Sequence, residues 1–166
     1  MSQTEDRQQR LQQIAKIAVA LEAQTGCPAA LMVAQWALES KWGEKPVGQF
    51  NCFGMKQADR HAKFCTVRTQ EIIQGKPVVL DLEFADYDSV EASCRDYASL
   101  ITHGAPYHTA WEQYQRDGDL HALIGAVAGK YSTSPQYAAL VTAIAGQKNV
   151  LQAIADVRQE GSNATA

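Results

Sequence analysis

The chain has 166 residues, a net charge of −3 and 46% hydrophobic residues. This length and apolar content predict a single domain with an adequate core, and we expect residues 1–158 to form it, followed by a disordered tail at 159–166. Scattered Lys and Arg side chains and a negative net charge argue against a nucleic-acid partner. No apolar stretch approaches the roughly 20 residues that a membrane span needs.

Two helices are predicted before the first long loop. Apolar residues at helical spacing predict an amphipathic helix over residues 7–24, which Gly26 ends. Pro28 suits the first turn of a second helix, which is apolar almost all round and carries Glu39 in its last turn. Such a helix is expected to be buried at the centre of the core.

The rest of the chain predicts a loop, a hairpin and further helices. Gly, Pro, Asn and Asp break the pattern over residues 43–61, and residues 63–87 predict a β-hairpin with a turn near Gly75 and with Glu71 on its first strand. Ser89 is a predicted N-cap for a helix that His103 and Gly104 end. Further helices are predicted around residues 111–114, over 120–128, and from a cap at 134–135 to about 150. The order predicts a mostly helical α+β domain.

Glu39 is the first candidate for chemistry. A carboxyl group half buried at the end of an apolar helix tends to keep its proton near neutral pH, because loss of water disfavours the charged form. Such a group can protonate a leaving oxygen, and Trp36 and Trp42 could supply apolar surroundings. The alternative is an ordinary surface glutamate paired with Lys41 or Lys45.

Five ordered motifs carry a family resemblance. They are Gln35 to Gly43, Asn51 to Lys56, Thr69-Gln70-Glu71, Phe84-Ala85-Asp86-Tyr87-Asp88-Ser89 and Tyr131-Ser132-Thr133-Ser134-Pro135-Gln136-Tyr137. Together they resemble the glucosaminidase family of bacterial cell-wall hydrolases (glycoside hydrolase family 73-like), which includes the wall-cutting domain of the flagellar rod-cap protein and many autolysins. The resemblance spans roughly residues 28–150.

The resemblance implies a lysozyme-like fold, in which a helical lobe and a small β-hairpin lobe flank a substrate cleft. It also implies a peptidoglycan hydrolase, an endo-β-N-acetylglucosaminidase that cleaves the N-acetylglucosamine-β-1,4-N-acetylmuramic acid linkage with Glu39 as general acid. A muramidase or lytic transglycosylase of the same fold is the alternative within enzymes. A non-catalytic module for wall-glycan binding or assembly is the alternative outside them.

Glu71 is the candidate second carboxylate, since the family position that it matches usually activates water. Carboxyl groups about 5 to 5.5 Å apart imply a covalent intermediate, and about 6.5 to 9.5 Å leaves room for an attacking water. A third route uses the acetamide oxygen of the substrate as nucleophile. Glu71 could instead form an exposed cross-strand pair with Lys76. The fallback carboxylates are Asp81, Glu83, Asp86 and Asp88.

Further site residues come from the same motifs. Tyr131 is the third predicted catalytic residue, with its hydroxyl expected near the acetamide of the sugar, although an aromatic core role is equally open. The predicted substrate-binding residues are Trp42, Asn51, Phe53, Gly54 and Tyr137. Asn51 is expected to hydrogen-bond the sugar, Phe53 to stack on it and Gly54 to permit a tight backbone approach. Tyr137 also fits a core role.

No metal or cofactor is predicted. The four histidines and the cysteines Cys27, Cys52, Cys65 and Cys94 show no metal-ligand spacing. Buried reduced thiols are expected at the four cysteines, and Cys52 to Cys65 is the favoured pair if one disulfide forms.

The predicted partner is the glycan strand of peptidoglycan, and the predicted place of action is the bacterial wall, in the periplasm or outside the cell. The N-terminus lacks a basic region followed by an apolar one, so no export signal is predicted. Delivery by phage lysis, by specialised secretion or through a removed leader stays open. We expect a monomer, with a secretion or phage assembly partner as a further option.

Overall fold

The computed structural model describes residues 2–165, which form seven helices and one two-stranded antiparallel sheet. In chain order these are α1 (Gln3–Thr25), α2 (Ala29–Glu39), β1 (Phe64–Ile73), β2 (Lys76–Ala85), α3 (Val90–His103), α4 (His108–Asp117), α5 (Leu120–Tyr131), α6 (Tyr137–Ala145) and α7 (Lys148–Ala164). The mostly helical α+β class predicted from the sequence is confirmed.

Helix α2 lies at the centre of the helical lobe. It packs against α1, α3, α6 and α7, and nearly every residue from Ala29 to Ala37 is buried. A helix that is apolar all round needs such surroundings, since each buried aliphatic side chain contributes about 1.5–3 kcal/mol. Packing in the core therefore fixes the position of α2, and with it the direction in which the Glu39 side chain points.

Capping side chains set the starts of two helices. Ser2 and Glu5 form a reciprocal capping box, so α1 begins four residues before its predicted start. The Ser89 hydroxyl accepts a hydrogen bond of 3.0 Å from the Ala92 N–H, which confirms the predicted cap of α3.

The β-hairpin is attached to the body at its base. Gln74 and Gly75 both have positive φ, as a tight hairpin turn requires, and the turn lies where it is predicted. At the other end, the Ala85 N–H donates to the Met55 carbonyl at 3.0 Å and the Gln57 N–H to the Glu83 carbonyl at 3.0 Å. The loop that follows α2 is therefore held against the strand ends.

The C-terminal region differs from its prediction in three ways. The single helix expected up to about residue 150 is two helices, because the backbone leaves helical geometry at Gln147. The predicted cap at Ser134 is wrong, since Gln136 is the N-cap of α6 and its side chain makes no cap hydrogen bond. The stretch 159–164, expected to be disordered, continues α7. Helix extension costs little once the first turns are packed, here through Val150, Ala153 and Ile154.

Residue 1 of the predicted domain and residue 166 of the predicted tail lie outside the described residues. Within residues 2–165, no helix combines the length and apolar character that crossing a bilayer demands.

Candidate active site

Glu39 is the last residue of α2 and lies half buried at the surface of the core. The chain turns sharply after it. The Ser40 hydroxyl donates to the Trp36 carbonyl at 2.6 Å and accepts from the Gly43 N–H at 2.9 Å. Lys41 and Trp42 both adopt positive φ, which is uncommon for residues with a side chain. This turn ends α2 directly after Glu39, so the carboxylate stays at the surface of the helical lobe.

A chain of hydrogen bonds connects Glu39 to the core. The Tyr137 hydroxyl donates to Glu39 Oε1 at 2.5 Å and accepts from Gln35 Nε2 at 3.2 Å. Gln35 is fully buried, and its carbonyl oxygen accepts from the Tyr97 hydroxyl. Tyr97 thus holds the buried Gln35 amide, and Gln35 in turn holds the Tyr137 hydroxyl. The chain holds one Glu39 oxygen in place.

Burial raises the pKa of Glu39, and the hydrogen bond from Tyr137 opposes part of that rise. Loss of water disfavours the carboxylate, whereas a donated hydrogen bond favours it. The carboxyl group therefore keeps its proton to a higher pH than an exposed glutamate does. Among residues 2–165, Glu39 forms no ion pair with Lys41 or Lys45, so the surface-pair alternative is not seen.

Gly54 faces the other Glu39 oxygen. Its φ is +63°, and a Cβ atom at this position would lie 3.1 Å from Glu39 Oε2. Only glycine adopts this backbone without cost and also leaves room for the carboxyl group. Because Tyr137 donates to Oε1, a proton on Glu39 belongs on Oε2, the oxygen on the Gly54 side. The close approach predicted at Gly54 was that of the substrate, whereas the group that the structure places against Gly54 is Glu39.

Asn51 organises the loop that carries Gly54. Its Nδ2 donates to the Met55 carbonyl at 2.9 Å and to the Ala85 carbonyl at 2.8 Å. Its Oδ1 accepts from the N–H groups of Phe53 at 3.3 Å and Met55 at 3.1 Å. The side chain is 1% exposed and its amide is fully used, so its predicted contact with sugar is wrong. It positions the loop instead.

Phe53 is a core residue, and its predicted role as a stacking platform for sugar is also wrong. Its side chain is 0% exposed and stacks on the Tyr97 ring at 4.3 Å between centroids. Its backbone carbonyl nevertheless belongs to the site, because it accepts a hydrogen bond of 2.5 Å from the Tyr131 hydroxyl.

Tyr131 ends α5 and lies parallel to Tyr137, with 6.2 Å between the ring centroids. Burial, together with the nearby charge of Glu39, raises the pKa of Tyr131 well above its usual range, so the hydroxyl keeps its proton. That proton is donated to the Phe53 carbonyl, which leaves the hydroxyl oxygen able to accept another hydrogen bond. Tyr131 therefore joins the loop to the pair of tyrosines beside Glu39.

Trp42 packs against α1 and Trp36. The Arg7 guanidinium stands 3.7 Å from its ring centroid, and Trp36 packs edge-on against it at 6.1 Å. Arg10 Nε donates to the Trp42 carbonyl at 2.8 Å. The ring faces α1, a position that does not support the predicted contact with substrate. The aromatic side chains shown beside Glu39 are tyrosines.

Glu71 lies near the tip of the hairpin, paired with Val78 across the strands. Alternate residues of β1 are half buried, and Glu71 shares this face with Cys65, Val67 and Thr69. The thiol of Cys65, at the base, lies against Gly48 in the loop after α2. Glu71 is thus on the same half-buried face of β1 as Cys65 but near the other end of the strand, and within residues 2–165 it forms no ion pair with Lys76.

The fallback carboxylates are occupied or point away. Asp81 and Glu83 lie on the exposed face of β2. Burial of Asp86 is outweighed by hydrogen bonds from the N–H groups of Tyr87, Gln49 and Phe50, which hold its pKa below the ordinary value. Asp88 pairs with Lys63 at 2.8 Å. Within residues 2–165, none of them is hydrogen-bonded to Glu39 or to its partner Tyr137.

A cavity of about 390 Å³ opens next to Glu39, with Gly54 and Tyr131 in its wall. Glu39 is not among the residues that line this cavity; it adjoins Gly54, where an added Cβ atom would lie 3.1 Å from Oε2. The cysteines do not contribute to it: all four are free, and the Cys52 to Cys65 disulfide is not formed. Within residues 2–165, no group of three or more potential ligands could hold a metal ion.

Gln35 and Tyr97 are the site residues that sequence reasoning missed. Gln35 precedes Glu39 by four positions, so both lie on the same face of α2, and it is a polar residue in an otherwise apolar stretch. That spacing was an available signal. Tyr97 gave none, because its partner is 62 residues away in the chain.

A family model described as "Glucosaminidase: Mannosyl-glycoprotein endo-beta-N-acetylglucosaminidase" matches residues 15–150. The chain belongs to the glucosaminidase family. It is 31% identical over 148 residues to a probable N-acetylmuramidase of Lactococcus lactis subsp. lactis, across 84% of this chain and 33% of that protein. It is 32% identical over 137 residues to the peptidoglycan hydrolase FlgJ of Pseudomonas aeruginosa, across 78% of this chain and 34% of that protein.

The chain thus spans about a third of the length of these two relatives. A solved structure of a peptidoglycan hydrolase mutant from Sphingomonas sp. A1 is similar over 90% of this chain and 99% of that chain, with a TM-score of 0.73 and 27% identity. The lysozyme-like fold expected from the motifs is confirmed.

Proposed function

We propose that the chain is a peptidoglycan hydrolase, an endo-β-N-acetylglucosaminidase that cleaves the N-acetylglucosamine-β-1,4-N-acetylmuramic acid linkage. The observation that carries this proposal is the Glu39 carboxyl group, whose pKa burial raises and whose Oε2 lies against Gly54, a residue in the wall of the cavity. The family and the names of its relatives support the substrate. The proposed domain covers residues 1–158.

In the proposed mechanism Glu39 protonates the glycosidic oxygen as the bond to the anomeric carbon breaks. The sugar then carries oxocarbenium character that a nucleophile must relieve. The Tyr137 hydroxyl stabilises the carboxylate that remains on Glu39, because its hydrogen bond strengthens as negative charge develops on Oε1. No metal or cofactor is needed for this chemistry.

Glu71 is our proposed base for the attacking water. Its position on the half-buried face of β1 supports this role. If the substrate acetamide acts as the nucleophile instead, Glu71 orients or stabilises it, and Tyr131, whose hydroxyl oxygen can accept one more hydrogen bond, is suited to hold the acetamide N–H. The anomeric configuration of the first product separates inversion from the two retaining routes.

A muramidase is the second candidate, because the Lactococcus lactis relative is named a probable N-acetylmuramidase. It would use the same acid and cut the neighbouring linkage. We further propose that the chain acts on glycan strands in the periplasm or outside the cell, as a monomer, with delivery through a secretion or phage assembly partner or a removed leader.

Digestion of purified peptidoglycan, followed by mass spectrometry of the fragments, tests the proposal. A glucosaminidase releases fragments with N-acetylglucosamine at the reducing end. Reducing N-acetylmuramic acid indicates a muramidase, and an anhydro end indicates a lytic transglycosylase. Release of no glycan fragments would contradict hydrolase activity.

A further inference from the structure

The cavity beside Glu39 has a cationic wall. Three of the residues that line it are Lys56, Arg60 and Lys130, and none is Asp or Glu. This contrasts with the chain as a whole, in which acidic residues outnumber basic ones and the net charge is −3. The remaining wall is apolar or aromatic and includes Met55, Leu100 and Tyr107.

Two of the three cations are not neutralised by the protein. Among residues 2–165, neither Lys56 nor Lys130 has a carboxylate within ion-pair distance. Arg60 is paired with Asp96 through Nε at 3.0 Å and Nη2 at 3.2 Å, which leaves Nη1 unused. These groups can therefore attract an anion with more than one acidic group, and the apolar wall can contact aliphatic carbon between them.

The substrate class of the proposed function supplies such an anion. The N-acetylglucosamine units of a glycan strand carry no charge. In intact peptidoglycan the carboxylates belong to the short peptide stems, because the lactyl carboxyl of N-acetylmuramic acid is consumed in the amide bond to the stem. Of the two sugars that the scissile linkage joins, one therefore carries a stem with carboxylates and the other carries no charge.

We propose that this cavity is a binding site for stem-peptide carboxylates, with Lys56 and Lys130 as its specificity-determining residues. This inference rests on the proposed function. It makes the protein selective for glycan that carries peptide stems, and it positions the strand on Glu39 through charge as well as through sugar contacts. Since both lysines are exposed, the attraction weakens as salt screens it.

The test measures binding separately from cleavage. Purified sacculi are freed of phosphate-bearing polymer, and their free amino groups are acetylated. Half of the sample then has its carboxylates converted to neutral methylamides. The Glu39→Gln protein is sedimented with each preparation at low salt. We expect binding to the carboxylate form to be about ten-fold tighter, as one to two lost ion contacts would give. The double substitution K56Q and K130Q in the same protein should remove most of this preference.

Lys148→Gln is the matched control, because Lys148 is an exposed lysine on α7 and is not part of the cavity wall. It should keep the preference. Equal binding to both preparations, or a preference that survives the double substitution, overturns the inference. Strands stripped of stems by an amidase carry one lactyl carboxylate per disaccharide, and equally tight binding to them would overturn the assignment to stems.

Turnover by the unsubstituted protein then separates the two proposals. If it releases no fragments while the charge preference is present, the proposed function fails and the binding site stands. If it cleaves both preparations with equal kcat/KM and shows no binding preference, the binding site fails and the hydrolase stands.

Discussion

Tyr137 and Glu39, which are 98 residues apart in the chain, are joined by a hydrogen bond of 2.5 Å from the phenol hydroxyl to Oε1. The bond has two consequences. It stabilises the carboxylate and so limits the rise in pKa that burial causes, and it reserves Oε2 for the proton. A general acid needs both effects, because its pKa must be low enough for it to give up the proton and the proton must leave in one direction.

Removal of the Tyr137 hydroxyl tests this relationship. In Tyr137→Phe, Glu39 loses a group that favours its charged form, so its pKa should rise further and the alkaline limb of the kcat/KM profile should move to higher pH. We expect kcat to fall about ten-fold, which corresponds to about 1.4 kcal/mol of lost orientation. Tyr114→Phe on α4, outside the hydrogen-bond chain, should leave the profile unchanged. A Tyr137→Phe profile with an unmoved alkaline limb would contradict the assignment.

A methyl group at Gly54 tests the space in front of Oε2. Gly54→Ala should reduce kcat/KM at least ten-fold, because the added carbon would meet Oε2 at 3.1 Å and force the carboxyl group to turn. It also costs about 1–2 kcal/mol for a left-handed residue.

Gly118→Ala is the matched control for that strain. Gly118 has a φ of +68° and no heavy atom within 4 Å of the added carbon, so this substitution should lower stability without lowering activity. If both variants lose activity to the same extent, the effect belongs to backbone strain and not to Glu39.

The role of Glu71 is tested on the hairpin. If it activates water, Glu71→Gln should lower kcat by a factor of 10² to 10⁴ with little change in KM, as expected for loss of a general base. Glu83→Gln, on the exposed face of the same hairpin, should have no effect. Loss of less than ten-fold in Glu71→Gln, with a retained anomeric configuration in the product, would instead support attack by the acetamide.

The raised pKa of Glu39 also predicts a pH dependence of stability. The folded protein binds this proton more tightly than the unfolded chain, so the contribution of Glu39 to stability falls as pH rises from the ordinary carboxyl value of 4.5 through the raised value. Glu39→Gln cannot ionise. Its Tm relative to the unsubstituted protein should therefore increase over this pH range and then level off. A Tm difference that is constant with pH would show that burial does not raise the pKa of Glu39.

The sequence was sufficient for the elements with strong local signals. The apolar run before Glu39 predicted a buried helix, and the Val, Ile, Thr and Phe residues on either side of Gly75 predicted the hairpin. The motifs that surround Glu39 were also sufficient to identify the family, which the match over residues 15–150 confirms. The motifs were less reliable for the orientation of side chains in the loop after α2. Asn51 and Phe53 turn inward because the loop folds around the Asn51 amide, and that backbone path has no local sequence signal.

Trp42 illustrates a second limit. Its orientation follows from positive φ at both Lys41 and Trp42, a geometry that side-chain identity does not favour and that the surrounding packing imposes. The two tyrosines of the hydrogen-bond chain, Tyr97 and Tyr137, come from α3 and α6. The chain therefore forms only once these helices are packed.

The most direct measurement compares the unsubstituted protein with Glu39→Gln on purified peptidoglycan, by mass spectrometry of the released fragments. The amide has the shape of the carboxyl group and can still accept from Tyr137, so circular dichroism and Tm should report an intact fold. The account predicts that fragment release falls by at least 10³-fold, the scale expected for loss of an essential acid. Fragment release by Glu39→Gln at the unsubstituted rate would contradict the central claim that Glu39 donates the proton.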